Sequence, residues 1–259
     1  MAKWKRRLLW TSAFVIACVV YLWFFGVQTF FALQARKIGR KIPIVNSIPV
    51  ELQDLSVSTA KGEKLSFMGV EFEVPWSDVD EEKTRIVRNW ALIYFRSGNS
   101  IILCVSPPDG FITSMSKDKT PDPKLFAAIY GPEVLRSDYA LHKAIFETTP
   151  SQITLFTPAN RAAGLVSVII IKAIMPPTTD WAIFSIRSKD FAGFQLGNPV
   201  RRPKKMSLEL YAADVEFEIN IWQNTNGPTP AITQAEINRI IQTAHKAAHA
   251  QSIFTVNPS

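Results

Sequence analysis

Two histidines near the C-terminus have the spacing of a metal-binding pair. His245 and His249 are four residues apart, which on a helix places two imidazoles on one face, where they could chelate zinc. The zinc-peptidase pattern needs a glutamate directly after the first histidine to act as the base, and this chain has Lys246 there. Histidines also suit the negative end of a helix. The sequence therefore favours a helix end over a metal site, and no cofactor is expected.

Acidic residues recur at every second position in two predicted strands. Asp214, Glu216 and Glu218 would project from one face of a late strand, and Glu71 and Glu73 from one face of an early strand. Two carboxyl groups about 5–9 Å apart could hydrolyse a glycosidic bond. An antiparallel sheet with one solvent-exposed face produces the same alternation, and this is the interpretation that we favour.

Other candidate groups have plainer structural explanations. Cys104 lies in an apolar strand with no histidine nearby in sequence, which predicts an inert thiol. The chain has no G-x-S-x-G elbow, P-loop or dinucleotide-binding glycine motif. An acidic run after Trp76 lacks the turn glycine of a calcium loop, which indicates a solvated loop or a helix start. The run comprises Asp78, Asp80, Glu81 and Glu82.

A compact basic loop is the candidate binding surface. Arg201, Arg202, Lys204 and Lys205 flank a proline ahead of a predicted strand. Such a loop could contact anionic lipid or an acidic partner, or it could simply solubilise the start of the strand. We assign these four residues as the candidate binding residues.

A long apolar segment precedes all of these groups. Residues 8–33 contain no charge, and as a helix they would span about 39 Å, more than the roughly 30 Å hydrocarbon core of a bilayer. Trp4 and Trp10 suit one membrane interface. A cleaved signal peptide would be shorter, and Leu33 stands where a cleavage site after Ala35 needs a small residue. The sequence predicts a cytoplasmic stub and an uncleaved single-pass anchor, a signal-anchor, within residues 1–33.

The basic residues of the chain concentrate around this segment. Residues 1–41 contain eight of the 29 Lys and Arg residues and no acid, so 21 bases face 22 acids in residues 42–259. The near-neutral C-terminal part argues against nucleic-acid binding. Four bases on each side of the segment leave the positive-inside comparison balanced. The short N-terminus before a long domain favours an extracytoplasmic position for the domain.

Residues 34–50 are predicted to form a linker and residues 51–259 one soluble α+β domain. Strand patterns begin and end the domain, and a Ser-Gly-Asn-Ser turn at residues 97–100 predicts a hairpin. Residues 165–171 are β-branched, but Ala162 and Ala163 favour a buried helix there. Thr233 and Glu236 form a capping box ahead of a terminal amphipathic helix. This order predicts a mainly antiparallel sheet covered by helices.

Two segments resemble the Mog1/PsbP-like α/β sandwich family. They are residues 69–76, with the sequence GVEFEVPW, and the terminal helix at residues 233–248. The resemblance implies an antiparallel sheet covered by helices, with a binding or accessory role rather than a reaction. The helical middle, about residues 107–180, is longer than that family suggests.

Together these observations predict a membrane-anchored domain at the outer face of a membrane, with a non-enzymatic binding or accessory role. It would contact lipid through residues 8–33 and a protein partner through its surface. One alternative is an anchored hydrolase that uses Glu216 and Glu218, or a metal held by His245 and His249. Another is a subunit that assembles through the membrane helix itself.

Overall fold

A computed structural model describes residues 3–53, 56–59, 62–118, 122–175, 182–201, 204–224, 231–247 and 254–257. The apolar N-terminal segment lies in one long helix, α1 (Lys3–Lys41). The part from Trp10 to Lys41 is long and apolar enough to cross a bilayer, and none of its most apolar window is buried inside the protein. The chain therefore combines a membrane-span candidate with an α+β domain, as the sequence predicts.

Helix α1 does not stop at the end of the apolar segment. Residues 34–41 of the predicted linker are its last turns, and a 3₁₀ turn at Pro43–Asn46 follows with Ile44 and Val45 buried. The reason is a face of small residues, Ala32, Ala35 and Gly39, which is buried against the domain. Helix α1 packs there against α5 (Ala159–Ile174), and small side chains allow the two backbones to approach closely.

The strands of the described residues form two sheets. In the larger sheet the order is β1-β7-β8-β9-β10-β6-β5-β4, antiparallel throughout except for the parallel pair of β1 and β7. The smaller, antiparallel sheet has the order β11-β3-β2-β12. The bounds are β1 Val50–Glu51, β2 Glu63–Phe67, β3 Val70–Val74, β4 Arg85–Val87, β5 Trp90–Tyr94, β6 Ser100–Ser106, β7 Ile183–Arg187, β8 Ala192–Leu196, β9 Lys205–Tyr211, β10 Glu216–Trp222, β11 His245–Lys246 and β12 Phe254–Asn257.

The remaining helices are α2 (Gly110–Asp118), α3 (Pro123–Tyr130), α4 (Asp138–Glu147) and α6 (Gln234–Thr243). The helix predicted around residues 165–171 is confirmed as part of α5, and the hairpin at residues 97–100 is confirmed by β5 and β6. The capping box of α6 is also confirmed. The Glu236 amide donates to Oγ1 of Thr233 (3.3 Å), and the Thr233 amide donates to Oε2 of Glu236 (2.7 Å).

Both faces of the larger sheet pack against other elements. One face packs against the smaller sheet and α6, where the rings of Phe72 and Phe217 lie 5.5 Å apart. The other face packs against the end of α1 and helices α2–α5, where the rings of Phe146 and Phe194 lie 5.0 Å apart. The solvent-exposed sheet face expected at the late strand is present only in part: Glu216 and Glu218 are partly buried and Trp222 on the same face is 41% exposed, whereas the neighbouring β9 is buried on this face. Polar residues on it are placed under α4.

Candidate functional site

A cluster of polar residues lies between the larger sheet and α4. Strand alternation places Glu209 and Tyr211 of β9 on the helix-covered face, together with Glu216 and Glu218 of β10. In the antiparallel register Glu218 is opposite Glu209, and Glu216 is opposite Tyr211. Two members of the predicted row of carboxylates, Glu216 and Glu218, therefore belong to this cluster.

Helix α4 contributes two more members, Asp138 and His142, which are four residues apart and therefore share one helix face. Asp138 is fully buried. Its Oδ2 accepts a hydrogen bond from the Phe111 amide (2.6 Å), and its Oδ1 accepts one from the Ile112 amide (3.0 Å). Because these amides belong to the first turn of α2, the carboxylate caps that helix and joins it to α4.

A hydrogen-bonded chain runs from His142 through Tyr211 to Glu209. The Tyr211 hydroxyl donates to Oε2 of Glu209 (2.9 Å) and also meets Nδ1 of His142. Since the hydroxyl proton goes to Glu209, Nδ1 of His142 carries a proton and donates to the tyrosine oxygen. The same nitrogen lies 3.5 Å from Oε2 of Glu209. The three side chains are nearly inaccessible to solvent.

Burial and neighbouring charges both affect the pKa values of these hydrogen-bonded side chains. Burial alone would lower the pKa of His142, but the hydrogen bond and charge of Glu209, with the charge of Asp138, raise it. Burial raises the pKa of Tyr211 well above 10, and the carboxylates of Glu209 and Glu216 reinforce this. The imidazolium is thus favoured, and the tyrosine stays protonated.

The pKa values of the two glutamates of β10, Glu216 and Glu218, are both raised. Burial raises the pKa of Glu216 to about 8; Asp138 and Glu209 add to the shift, whereas His142 opposes it. Burial also raises the pKa of Glu218, against a hydrogen bond of 2.8 Å from the Asn220 side-chain amide. A carboxyl group that keeps its proton at neutral pH can act as a general acid or as a hydrogen-bond donor.

Tyr211 connects this cluster to a cavity of about 680 Å³. The cavity is also lined by Ser137 and Tyr139 at the start of α4 and by Asp190 before β8. Nε2 of His142 is buried and has no hydrogen-bond partner within the part of the chain that the structure describes. Among the described residues, no three His, Cys, Asp or Glu side chains are arranged to hold a metal ion.

The predicted basic loop lies at the start of β9, and Arg202 falls outside the described residues. Nζ of Lys205 lies 3.5 Å from the centroid of the Trp222 ring, a cation–π contact at a tryptophan that is 41% exposed. Val200, in the 3₁₀ turn Pro199–Arg201, is 83% exposed. The loop is therefore a basic and aromatic surface patch rather than a basic loop alone.

The helical spacing predicted for the two C-terminal histidines is wrong. Helix α6 ends at Thr243, and His245 lies in β11, opposite Glu71 of β3, with Nε2 of His245 3.3 Å from Oε2 of Glu71. The amide of Ala244 closes the last helical turn on the Ile240 carbonyl, and extended backbone follows. His249 is outside the described residues.

The other predicted acids form ion pairs or hydrogen bonds, and the cysteine is partly buried. Nε of Arg239 donates to Glu73 (2.7 Å), and Nζ of Lys246 lies 2.5 Å from Asp214. The acidic run forms a turn, in which Oδ1 of Asp80 accepts from the Lys83 amide (3.3 Å). Burial raises the pKa of Cys104 to about 11, which keeps the thiol protonated at neutral pH.

Four members of the cluster were not predicted from the sequence: Asp138, His142, Glu209 and Tyr211. A signal for the helix pair exists, because Asp138 and His142 lie on the helix that also carries the buried Leu141 and Ile145. For Glu209, the signal is an acid inside an otherwise apolar strand. No protein-family model, curated protein or solved structure matches this chain. The resemblance to the Mog1/PsbP-like family stays a prediction.

Proposed function

We propose that this protein is a single-pass membrane protein whose extracytoplasmic domain has a non-enzymatic binding or accessory role. The supporting observation is the continuity of α1 with the domain. Helix α1 passes from its apolar stretch into the packing against α5 without an intervening loop, and Ala35 is fully buried there. A domain joined to its anchor in this way presents a fixed surface at a defined distance from the membrane.

The binding surface of this proposal is the basic and aromatic patch, which comprises the contact of Lys205 with Trp222, the adjacent Lys204, and the preceding 3₁₀ turn with Val200 and Arg201. An exposed tryptophan stacked against a lysine offers a large apolar area with a fixed positive charge, the composition of energetically dominant positions in protein interfaces. Residues 42–259 carry almost no net charge, so the patch is a local feature and not part of a polyanion-binding face. It fits an acidic segment of a protein partner.

A photo-crosslinking amino acid at Trp222 tests this directly. The full chain carries the crosslinker in its native membrane, and Met68, which is 40% exposed in the turn between β2 and β3, serves as the matched control position. We expect a discrete protein adduct from position 222 only, and Lys204→Glu with Lys205→Glu should remove it. No adduct, or equal adducts from both positions, would contradict the binding role of the patch.

An anchored hydrolase that uses the β10 carboxylates is the second candidate. The observation in its favour is that burial raises the pKa of Glu216 to about 8 within a cluster that holds a hydrogen-bonded histidine and tyrosine. Such a group resembles the proton donor of a glycosidase. The partial burial of Glu216 beside Asp138 of α4 opposes this candidate, because it narrows the access of a substrate to the carboxyl group.

Hydrolysis assays with the full chain separate the two candidates. A panel of chromogenic glycosides is tested with the wild type, Glu216→Gln and Glu218→Gln, and with Glu133→Gln as a control at an exposed ion pair with Arg136. Turnover that both β10 variants lose and the control keeps would establish the hydrolase. Absence of turnover in the wild type would leave the binding role as the better supported function.

A further inference from the structure

The loop before α5 carries two exposed apolar side chains next to α1. Phe156 is 87% exposed, and Leu155 is 38% exposed. The ring of Phe156 meets the ring of Phe25 edge-on, with 6.3 Å between the two centroids. The loop therefore lies beside α1 at the level of Phe25, well before the apolar stretch ends at Leu33.

Phe25 stays within the hydrocarbon core in either extreme placement of the helix. A core of about 30 Å corresponds to roughly 20 helical residues. If the core begins at Leu8, it ends near Val27, about 3 Å beyond Phe25. If it ends at Leu33, its boundary is about 12 Å beyond Phe25. In both cases Phe156 lies next to the acyl chains or at their boundary.

The charges of α1 favour the deeper placement. Four exposed basic residues follow the apolar stretch within two turns and would meet the headgroups there. They are Arg36, Lys37, Arg40 and Lys41. With the headgroups at that level, the loop that carries Phe156 lies below them, on the lipid side.

The backbone of the loop also suits contact with lipid. The Thr154 amide donates to Oγ1 of Thr157 (2.9 Å), and the Thr157 amide donates to the carbonyl of Thr154 (3.2 Å). The Phe156 amide donates to Oγ1 of Thr154 (3.3 Å), and the following Pro158 has no amide hydrogen. Lipid offers no replacement for a missing hydrogen bond, so a loop that satisfies these groups internally can enter the bilayer.

We propose that Leu155 and Phe156 insert into the outer leaflet beside α1, so that the domain rests on the bilayer instead of standing away from it. The occupant of this apolar surface is the acyl chains of the membrane, because the surface continues the lipid-facing side of α1. This inference rests on the proposed membrane span of α1. It adds a second membrane contact, which fixes the tilt of the whole protein in the membrane.

Spin labels in the full chain test the contact. The protein carries Cys18→Ala and Cys104→Ala and is reconstituted in vesicles of phosphatidylcholine and phosphatidylglycerol. One label is placed at Phe156→Cys, one at Val200→Cys and one at Trp23→Cys. These three positions are 87%, 83% and 84% exposed, so differences in reagent access report the surroundings rather than protein packing. Access to oxygen marks lipid, and access to a water-soluble nickel chelate marks water.

We expect the label at position 156 to resemble that at position 23, with oxygen access above nickel access, and the label at position 200 to show the reverse. A label at position 156 that matches position 200, while position 23 is in lipid, would overturn the insertion and leave the span intact. A label at position 156 shielded from both reagents would also overturn it, since protein would then cover the loop. If position 23 is in water, the span of α1 itself fails.

Discussion

The buried lysine of α5 joins the end of α1 to the domain, and replacing it should loosen that junction. Lys172 is fully buried, and its Nζ donates to the carbonyl oxygens of Ser47 (2.5 Å), Phe146 (2.6 Å) and Thr148 (2.8 Å), with Val45 at 3.5 Å. Two of these carbonyls belong to the segment after α1, and two lie at the end of α4. One ammonium group thus holds three parts of the chain together.

Lys172→Met should lower the free energy of unfolding by about 3 kcal/mol. Three buried carbonyls lose their donor at about 1–3 kcal/mol each, a total of about 3–9 kcal/mol. Against this, burial lowers the pKa of Lys172 from 10.5 to about 8, an unfavourable ionisation of about 3 kcal/mol that methionine removes. The free energy lost with the hydrogen bonds exceeds the free energy gained by removing the buried charge.

The pH dependence gives a second signature. Because the folded-state pKa is lowered, the unfolded chain binds more protons between pH 8 and 10.5, and stability rises with pH across that window. From about pH 7 to pH 9 the wild type should gain about 1 kcal/mol from this group, and Lys172→Met should gain none. The difference between the two proteins therefore widens as the pH rises.

Urea unfolding of the full chain in detergent, followed by tryptophan fluorescence, measures both effects. Lys143→Met is the control, because Lys143 is half-exposed and lies 3.8 Å from Glu147, a surface pair that contributes less than about 1 kcal/mol. A Lys172→Met protein as stable as the wild type, with a difference that does not change with pH, would refute the role of this lysine in the junction.

Three further substitutions, two in the cluster under α4 and one in β8, are tested by the same unfolding measurement. Glu216→Gln should stabilise the domain by about 4 kcal/mol near pH 7.5 and by less than about 1 kcal/mol near pH 4.5. The folded-state pKa of about 8 makes the wild type lose stability as the pH rises from 4.5 to 8, and an equal gain at both pH values would contradict this. Tyr211→Phe removes the hydroxyl between His142 and Glu209 and should cost about 1–3 kcal/mol, so an unchanged midpoint would count against the hydrogen-bonded chain. Gly193→Ala would place a Cβ 1.8 Å from the backbone oxygen of Glu209 and should cost more than about 3 kcal/mol, whereas Gly110→Ala, whose nearest atom is 3.4 Å away, should fold normally.

The sequence was sufficient for the elements whose signals are local. The capping box of α6 and the uninterrupted apolar stretch of α1 each specify structure within one segment, and the structure has both. The interpretation of α5 was correct because alanines outweighed a β-branched run, which can pack in a buried helix as well as in a strand.

The errors concern properties that depend on distant parts of the chain. Alternation at Glu216 and Glu218 identifies one face of a strand, but only the position of α4 decides whether that face meets water. The predicted linker became helix because the end of α1 packs against α5 and Gly39 lies beside Pro150, each more than one hundred residues away. Strand β11 replaced the end of the predicted terminal helix through pairing with β3. No local pattern contains these contacts.

The most direct test of the central proposal is the side of the membrane on which the domain lies. In intact cells whose protein carries Cys18→Ala and Cys104→Ala, a membrane-impermeant maleimide is applied to variants with one cysteine, either Ala2→Cys or Val200→Cys. Because Val200 is exposed in the patch, we expect it to react before permeabilisation and position 2 to react only afterwards. The reverse order would place the domain in the cytoplasm, and reaction of both positions before permeabilisation would show that α1 does not cross the membrane.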